Sequence, residues 1–132
     1  PVEFPAIANI EIVNALIDAA KKMDMRYHVG VVECKDSFYG QHEPEKKPVG
    51  YELLNRWDAW VKGGALTSEM ESSTLFIVGS CLRVRVGSVL LVCANQERAK
   101  RGMENPYSDD TEIPIRAAIQ ALKTLIKQDK QK

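Results

Sequence analysis

The run Ala65-Leu66-Thr67-Ser68-Glu69-Met70-Glu71-Ser72-Ser73-Thr74-Leu75-Phe76-Ile77-Val78 (residues 65–78) joins a strand-like stretch to a helix-like one without a loop between them. The spacing predicts a short strand over Ala65–Met70 and a helix over Ser72–Leu82, the unit of an α/β sheet. Downstream, Ser88–Ala94 (SVLLVCA) is apolar throughout and reads as a buried parallel strand. Residues 95–110 are polar and loop-like. A last helix follows over 111–128, with Ile115, Ile119, Leu122 and Ile126 in helical register and Lys127, Lys130 and Lys132 at its negative end. Upstream, residues 50–62 predict a helix with Leu53, Leu54, Trp57, Trp60 and Val61 on its apolar side, stopped by Gly63 and Gly64. Residues 35–49 form a loop with Gly40, Pro44 and Pro48. His28–Cys34 (HVGVVEC) predicts another buried strand. Residues 9–24 predict a helix with Asn9 as N-cap and Ile10, Val13, Leu16, Ile17 and Ala20 recurring along it.

The order is α-β-loop-α-β-α-β-loop-α, which specifies an α/β class with mostly parallel strands. Only three strands are evident. Three parallel strands leave open sheet edges, which suggests that further strands come from elsewhere.

The 132 residues are one ordinary domain by length, 45% hydrophobic and 27% charged. Lys plus Arg equals Asp plus Glu, 18 each. This balance gives no electrostatic case for nucleic acid or a membrane surface as partner. The apolar run near Val86–Ala94 is far short of a bilayer span. Cys34, Cys81 and Cys93 lack the spacing of a disulfide framework or zinc site. They read as buried free thiols, suited to a reducing, cytoplasmic setting. No metal-ligand cluster is expected. The chain opens on Pro1 rather than methionine, which is compatible with processing or with a longer polypeptide.

Three polar clusters follow the three predicted strands, where open α/β sheets gather ligands. In Glu69-Met70-Glu71-Ser72, extended geometry would turn Glu69 and Glu71 to one side and Met70 to the other. An ionised carboxylate only accepts hydrogen bonds and can take two from a ribose cis-diol. The same acids also suit a helix N-terminus, where the dipole favours them. In Asp36-Ser37-Phe38-Tyr39-Gly40-Gln41-His42, an aromatic ring could stack on a planar base. The Gln41 carboxamide could pair with the imide edge of uracil. A turn-forming loop with an aromatic anchor fits equally well. Asn95-Gln96-Glu97-Arg98 is the third cluster, and all three are expected to converge on one cleft.

Other residues offer less. His28 opens a predicted strand and has no dyad partner nearby. Ser72 and Ser73 lack a nucleophile elbow. No glycine-rich phosphate loop is present. Trp57 and Trp60 suit core or interface packing.

Together these stretches resemble the nucleoside phosphorylases of the hexameric purine and uridine type. Glu69-Met70-Glu71-Ser72 looks like their ribose signature. Glu3-Phe4-Pro5-Ala6, His28-Val29-Gly30-Val31 and Asp36-Ser37-Phe38-Tyr39-Gly40-Gln41 look like uridine phosphorylases, in the same order along the chain. The resemblance spans the whole chain but covers only the C-terminal half of the family's three-layer α/β/α domain. It implies reversible phosphorolysis of uridine to uracil and ribose 1-phosphate, with phosphate as co-substrate and no cofactor. Glu71 would hold the ribose hydroxyls and Met70 would pack on the sugar. Glu69 would support the ribose and phosphate network. Phe38 would pack on the nucleoside and Gln41 would read uracil, with Gly40 and His42 in the same loop. Asn95 and Gln96 would complete the base side. An asparagine at Asn95, where purine phosphorylases carry an aspartate, favours a pyrimidine.

The chain departs from the pattern in places. The proline before the glycine is absent. The arginine two residues after the glutamine is Glu43, beside His42, and the arginine after Asn95 is Gln96. The family's phosphate-binding residues belong to an N-terminal half not represented in these 132 residues. The resemblance implies that half as a partner, and a homo-oligomer, either a dimer or a trimer of dimers. Another phosphorylase or nucleosidase of the same fold, or a non-catalytic nucleoside-binding subunit, are the competing expectations.

Overall fold

The computed structural model describes residues 3–131; Pro1, Val2 and Lys132, and with Lys132 one of the cations expected at the last helix end, lie outside the described residues. The elements are α1 (Ile10–Lys22), β1 (Val32–Cys34), α2 (Phe38–His42), a 3-10 turn (Pro44–Lys46), α3 (Gly50–Lys62), β2 (Thr67–Glu69), α4 (Ser72–Leu82), α5 (Gln96–Lys100) and α6 (Glu112–Asp129). This is an α/β chain with a parallel strand pair. It divides into two compact units. One holds the residues up to Ile7 and His28–Val84; the other holds Ala8–Tyr27 and the chain from Arg85 onward.

The first unit is built on the β1–β2 ladder. Val32 pairs with Thr67, Glu33 with Ser68 and Cys34 with Glu69. Leu66 N to Val31 O and Lys35 N to Glu69 O, both 2.9 Å, extend the pairing at either end. Both strands are shorter than their sequence pattern predicts. His28 precedes β1 by several residues rather than opening it. The stretch expected to be loop at 35–49 contains α2 and the 3-10 turn. Ser37 caps α2, its Oγ accepting from Gly40 N at 3.1 Å. Gly50 starts α3 because a Cβ there would collide with the Pro44 carbonyl. Gly64, at φ 84°, takes the left-handed conformation that ends α3.

The second unit centres on α1 packed against α6. Asn9 caps α1, its Oδ1 accepting from Glu11 N at 3.0 Å and Ile12 N at 3.4 Å. The contact is made by small side chains: Ala15, Ala19, Ala121 and Leu125 are buried together, with Ile12 and Leu16 against them. Alanines let two helix backbones approach closely. Arg85 ties the following segment to both helices, donating to Glu11 at 2.6 Å and to Asp129 through both terminal nitrogens. These two carboxylates raise its pKa above the ordinary arginine value.

Several expectations are corrected here. The helical register Ile115, Ile119, Leu122 and Ile126 is not the packed face of α6; those residues are 47–56% exposed. The packed face is Ala117, Ala121 and Leu125. Two stripes of apolar residues run along this helix, and α1 takes the smaller one. Ser88–Ala94 forms no strand among the described residues, and Val89, Leu90 and Val92 are exposed. A strand exists only through its ladder, and this run has no neighbouring strand to bond among the described residues. The polar stretch at 95–110 contains α5. The cysteines are free, but Cys81 and Cys93 are exposed and only Cys34 is half-buried. Trp60 is exposed and Trp57 half-buried, so neither belongs to a closed core. No helix among the described residues is long and apolar enough to cross a membrane.

The α1–α6 contact predicts that Ala121→Leu, which adds bulk to a buried alanine packed among Ala15, Ala19 and Leu125, lowers stability by about 1–3 kcal/mol. Asn9→Ala should lower it by about 1 kcal/mol through loss of the α1 cap. Denaturant unfolding followed by circular dichroism measures both.

Candidate functional site

Parallel register brings the carboxyl ends of β1 and β2 side by side, and the first two sequence clusters leave from these ends. Side chains alternate along a strand. Glu33 and Lys35 therefore share a face, with Ser68 opposite Glu33 on the same face. Cys34 and Glu69 occupy the other.

On the first face, Lys35 Nζ lies 2.8 Å from Ser68 Oγ, Ser68 Oγ hydrogen-bonds Glu33 Oε2, and Gln41 Oε1 lies 2.7 Å from Ser68 Oγ. Gln41 is carried there by α2. That helix also aligns the ring of Phe38 with that of His42, centroids 4.1 Å apart, and sets Tyr39 edge-on to Phe38. Lys47 Nζ stands 5.7 Å from the Tyr39 ring centre. Burial, with the Lys35 charge, lowers the His42 pKa below 6.5 and favours the neutral imidazole. Gly40 supplies a backbone N–H to the α2 cap.

On the second face, Glu69 Oε2 accepts from Glu71 N at 2.8 Å and Ser72 N at 2.7 Å. It satisfies donors that the first turn of α4 leaves open. Burial pushes the Glu69 pKa up. The Cys34 thiol, the Glu71 and Ser72 amides and the Ser72 hydroxyl outweigh that and hold it below the usual value. Glu69 Oε1 is buried without a hydrogen bond of ordinary geometry. Ser73 Oγ donates to Cys34 Sγ at 3.1 Å.

The expectation that Glu69 and Glu71 act as a same-side pair is not what the backbone produces. β2 ends at Glu69, so strand alternation does not extend to Glu71. Glu69 turns onto the α4 N-terminus. Glu71 is exposed and accepts from Met70 N at 3.2 Å. Met70 is also exposed.

Ser68, with Glu33 and Lys35, was not singled out by sequence reasoning. The signal that could have found it is register: only pairing β1 to β2 shows that Glu33 and Lys35 flank it. Asn95 and Gln96 belong to the second unit. Asn95 caps α5, its Oδ1 accepting from Arg98 N at 2.9 Å and its N–H donating to Asn105 Oδ1 at 2.7 Å. Gln96 is the first residue of α5. Among the described residues no group of three or more His, Cys, Asp or Glu is placed to hold a metal ion.

The phosphorylase superfamily model matches residues 1–127. A uridine phosphorylase of Treponema pallidum is 50% identical over 129 residues, covering 98% of this chain and 50% of the relative. One from Thermococcus kodakarensis is 33% identical, covering 99% of this chain and 46% of the relative. A guanosine phosphorylase of Halorubrum lacusprofundi is 29% identical, covering 94% and 50%. The chain spans about half the length of these curated relatives. With a match along nearly its whole length, and two of its polar clusters at the carboxyl ends of parallel strands, the chain belongs to the phosphorylase superfamily.

Proposed function

We propose that these residues form the nucleoside-facing half of an enzyme that reversibly cleaves uridine with phosphate, giving uracil and ribose 1-phosphate. The observation that carries this reading is the bond between Gln41 and Ser68. It holds a carboxamide beside the strand end from which Glu69-Met70-Glu71 departs. A base-reading group and a diol-binding group thus leave one edge of the ladder. The names of the two uridine phosphorylase relatives supply the substrate.

In this reading Glu71, exposed at the edge, accepts from the ribose 2′ and 3′ hydroxyls, and Met70 covers the sugar. Glu69 keeps Oε2 on the α4 amides and supports the ribose and phosphate network by fixing that junction. Phe38 packs on the nucleoside, backed by neutral His42. Gly40, within α2, leaves room for the Ser37 cap, and Gln41 reads the uracil edge.

No covalent nucleophile is required. As the base departs, ribose gains oxocarbenium character. Ionised Glu69 and Glu71 stabilise that positive charge, and the site orients the reactants. Phosphate is the co-substrate, and no cofactor takes part. The phosphate site and the strands beside residues 88–94 come from the other half of the relatives' length. The exposed apolar stripe of α6 supports burial in a larger assembly, either with that half or as a homo-oligomer, a dimer or trimer of dimers. Free cysteines, with no disulfide among the described residues, support a cytoplasmic location.

The guanosine phosphorylase relative favours a second reading, phosphorolysis of a purine nucleoside. Turnover of uridine, thymidine, inosine and guanosine, with and without phosphate, separates the two. Uridine cleaved only with phosphate is the expected result. A preference for guanosine would replace the first reading by the second. Binding without turnover would indicate a non-catalytic subunit.

In the complete native polypeptide, Glu71→Gln should lower kcat/KM for uridine by at least ~100-fold; near-normal turnover would reject its role. His42 gives a pH prediction. Its folded pKa lies below the unfolded value, so its contribution to stability is complete above about pH 6.5 and is lost as pH falls through the folded value. His42→Gln should flatten that acid-side slope in a series of denaturant titrations.

A further inference from the structure

Ser68 is the hub of the cluster formed by Lys35, Glu33 and Gln41. A hydroxyl has one hydrogen and two lone pairs. An ammonium only donates and an ionised carboxylate only accepts. Lys35 therefore occupies one lone pair of Ser68, and Glu33 takes its hydrogen. What remains for Gln41 is a lone pair.

The two ends of a carboxamide have the same shape, and the hydrogen-bond network decides which is which. Oε1 stands 2.7 Å from Ser68 Oγ, yet the end of Gln41 that meets Ser68 must donate, so the hydrogen-bond network exchanges the two amide ends: Nε2–H meets Ser68 and Oε1 turns to the far side. The opposite assignment would take the hydroxyl hydrogen away from the Glu33 carboxylate. Charge-assisted bonds are about twice as strong as neutral ones, so Glu33 retains it.

We propose that Ser68, set by Glu33 and Lys35, is a positioning residue that locks the Gln41 carboxamide in one orientation and so makes the base site select the imide edge of uracil over the edge of cytosine. This rests on the reading of Gln41 as the base reader. Uracil N3 carries a hydrogen; cytosine N3 carries a lone pair beside an amine. A glutamine free to flip satisfies either base. One whose Nε2 is engaged at Ser68 presents an acceptor, which pairs with N3–H and repels the cytosine lone pair. A carbonyl oxygen has two lone pairs, so Oε1 can accept from N3–H in addition to any bond within the protein.

The test is calorimetric binding of uracil and of cytosine, in the presence of ribose 1-phosphate, to the complete native polypeptide and its variants. The unsubstituted protein should prefer uracil. Ser68→Ala should narrow the uracil-to-cytosine affinity ratio by at least ~10-fold, since unpaired polar groups in a built site govern such discrimination. Glu33→Gln should narrow it too, and decides the matter if Ser68→Ala does not fold. Ser68→Thr, which keeps the hydroxyl, should retain the ratio. An unchanged ratio in Ser68→Ala and Glu33→Gln overturns the lock and leaves Gln41 as the reader. Equal narrowing in Ser68→Thr and Ser68→Ala also overturns it, because packing alone would then explain the change. Failure of the unsubstituted protein to bind uracil overturns the reading of the base site, and the lock with it.

Discussion

The register of the β1–β2 pair is the constraint on which the candidate site depends. Three residue pairs fix it: Val32 with Thr67, Glu33 with Ser68 and Cys34 with Glu69. Because strand side chains alternate, a slip of one residue would exchange the two faces. Ser68 would leave Glu33, and Glu69 would leave Cys34. The polar cluster that receives Gln41 and the carboxylate that receives the α4 amides exist only in the observed register. The ladder is short, so the two flanking bonds, Leu66 N to Val31 O and Lys35 N to Glu69 O, matter to its alignment.

Helix capping and the candidate chemistry draw on the same residues. Glu69 closes the first turn of α4 and Asn95 closes that of α5. Each junction from extended chain to helix leaves backbone N–H groups that need an acceptor. An acidic or amide side chain there is held rigid by that need. Rigid placement is also what a substrate contact requires. The structural role and the proposed substrate role meet at Glu69, where one oxygen is committed to the backbone and the other is not.

Packing in the second unit follows from side-chain size. Alanines on α1 and α6 allow close approach, and the larger aliphatic residues of α6 face outward. The same is true of the 88–94 run, whose composition suits a buried strand but whose Val89, Leu90 and Val92 stand exposed. These apolar surfaces fit a chain that spans about half the length of its relatives. They show why a balanced, ordinary composition does not guarantee that every apolar stripe is covered within one segment.

The sequence by itself determined the class of the fold and the places where helices start and stop. Local rules were sufficient for this: Asn9 caps α1, the apolar period runs through α3, Gly64 ends it, and β2 passes directly into α4. It also marked Gln41 and Glu69-Met70-Glu71 as polar groups at strand ends. Tertiary structure decided what depends on partners distant in the chain. It shortened both strands, left 88–94 without a ladder among the described residues, and chose the alanine stripe of α6 over the isoleucine stripe. It separated the roles of Glu69 and Glu71 by bending the chain after β2, and it assembled Lys35, Glu33 and Gln41 around Ser68. The physical reason is range: caps and turns are satisfied within a few residues, whereas register and burial depend on which surface arrives from elsewhere.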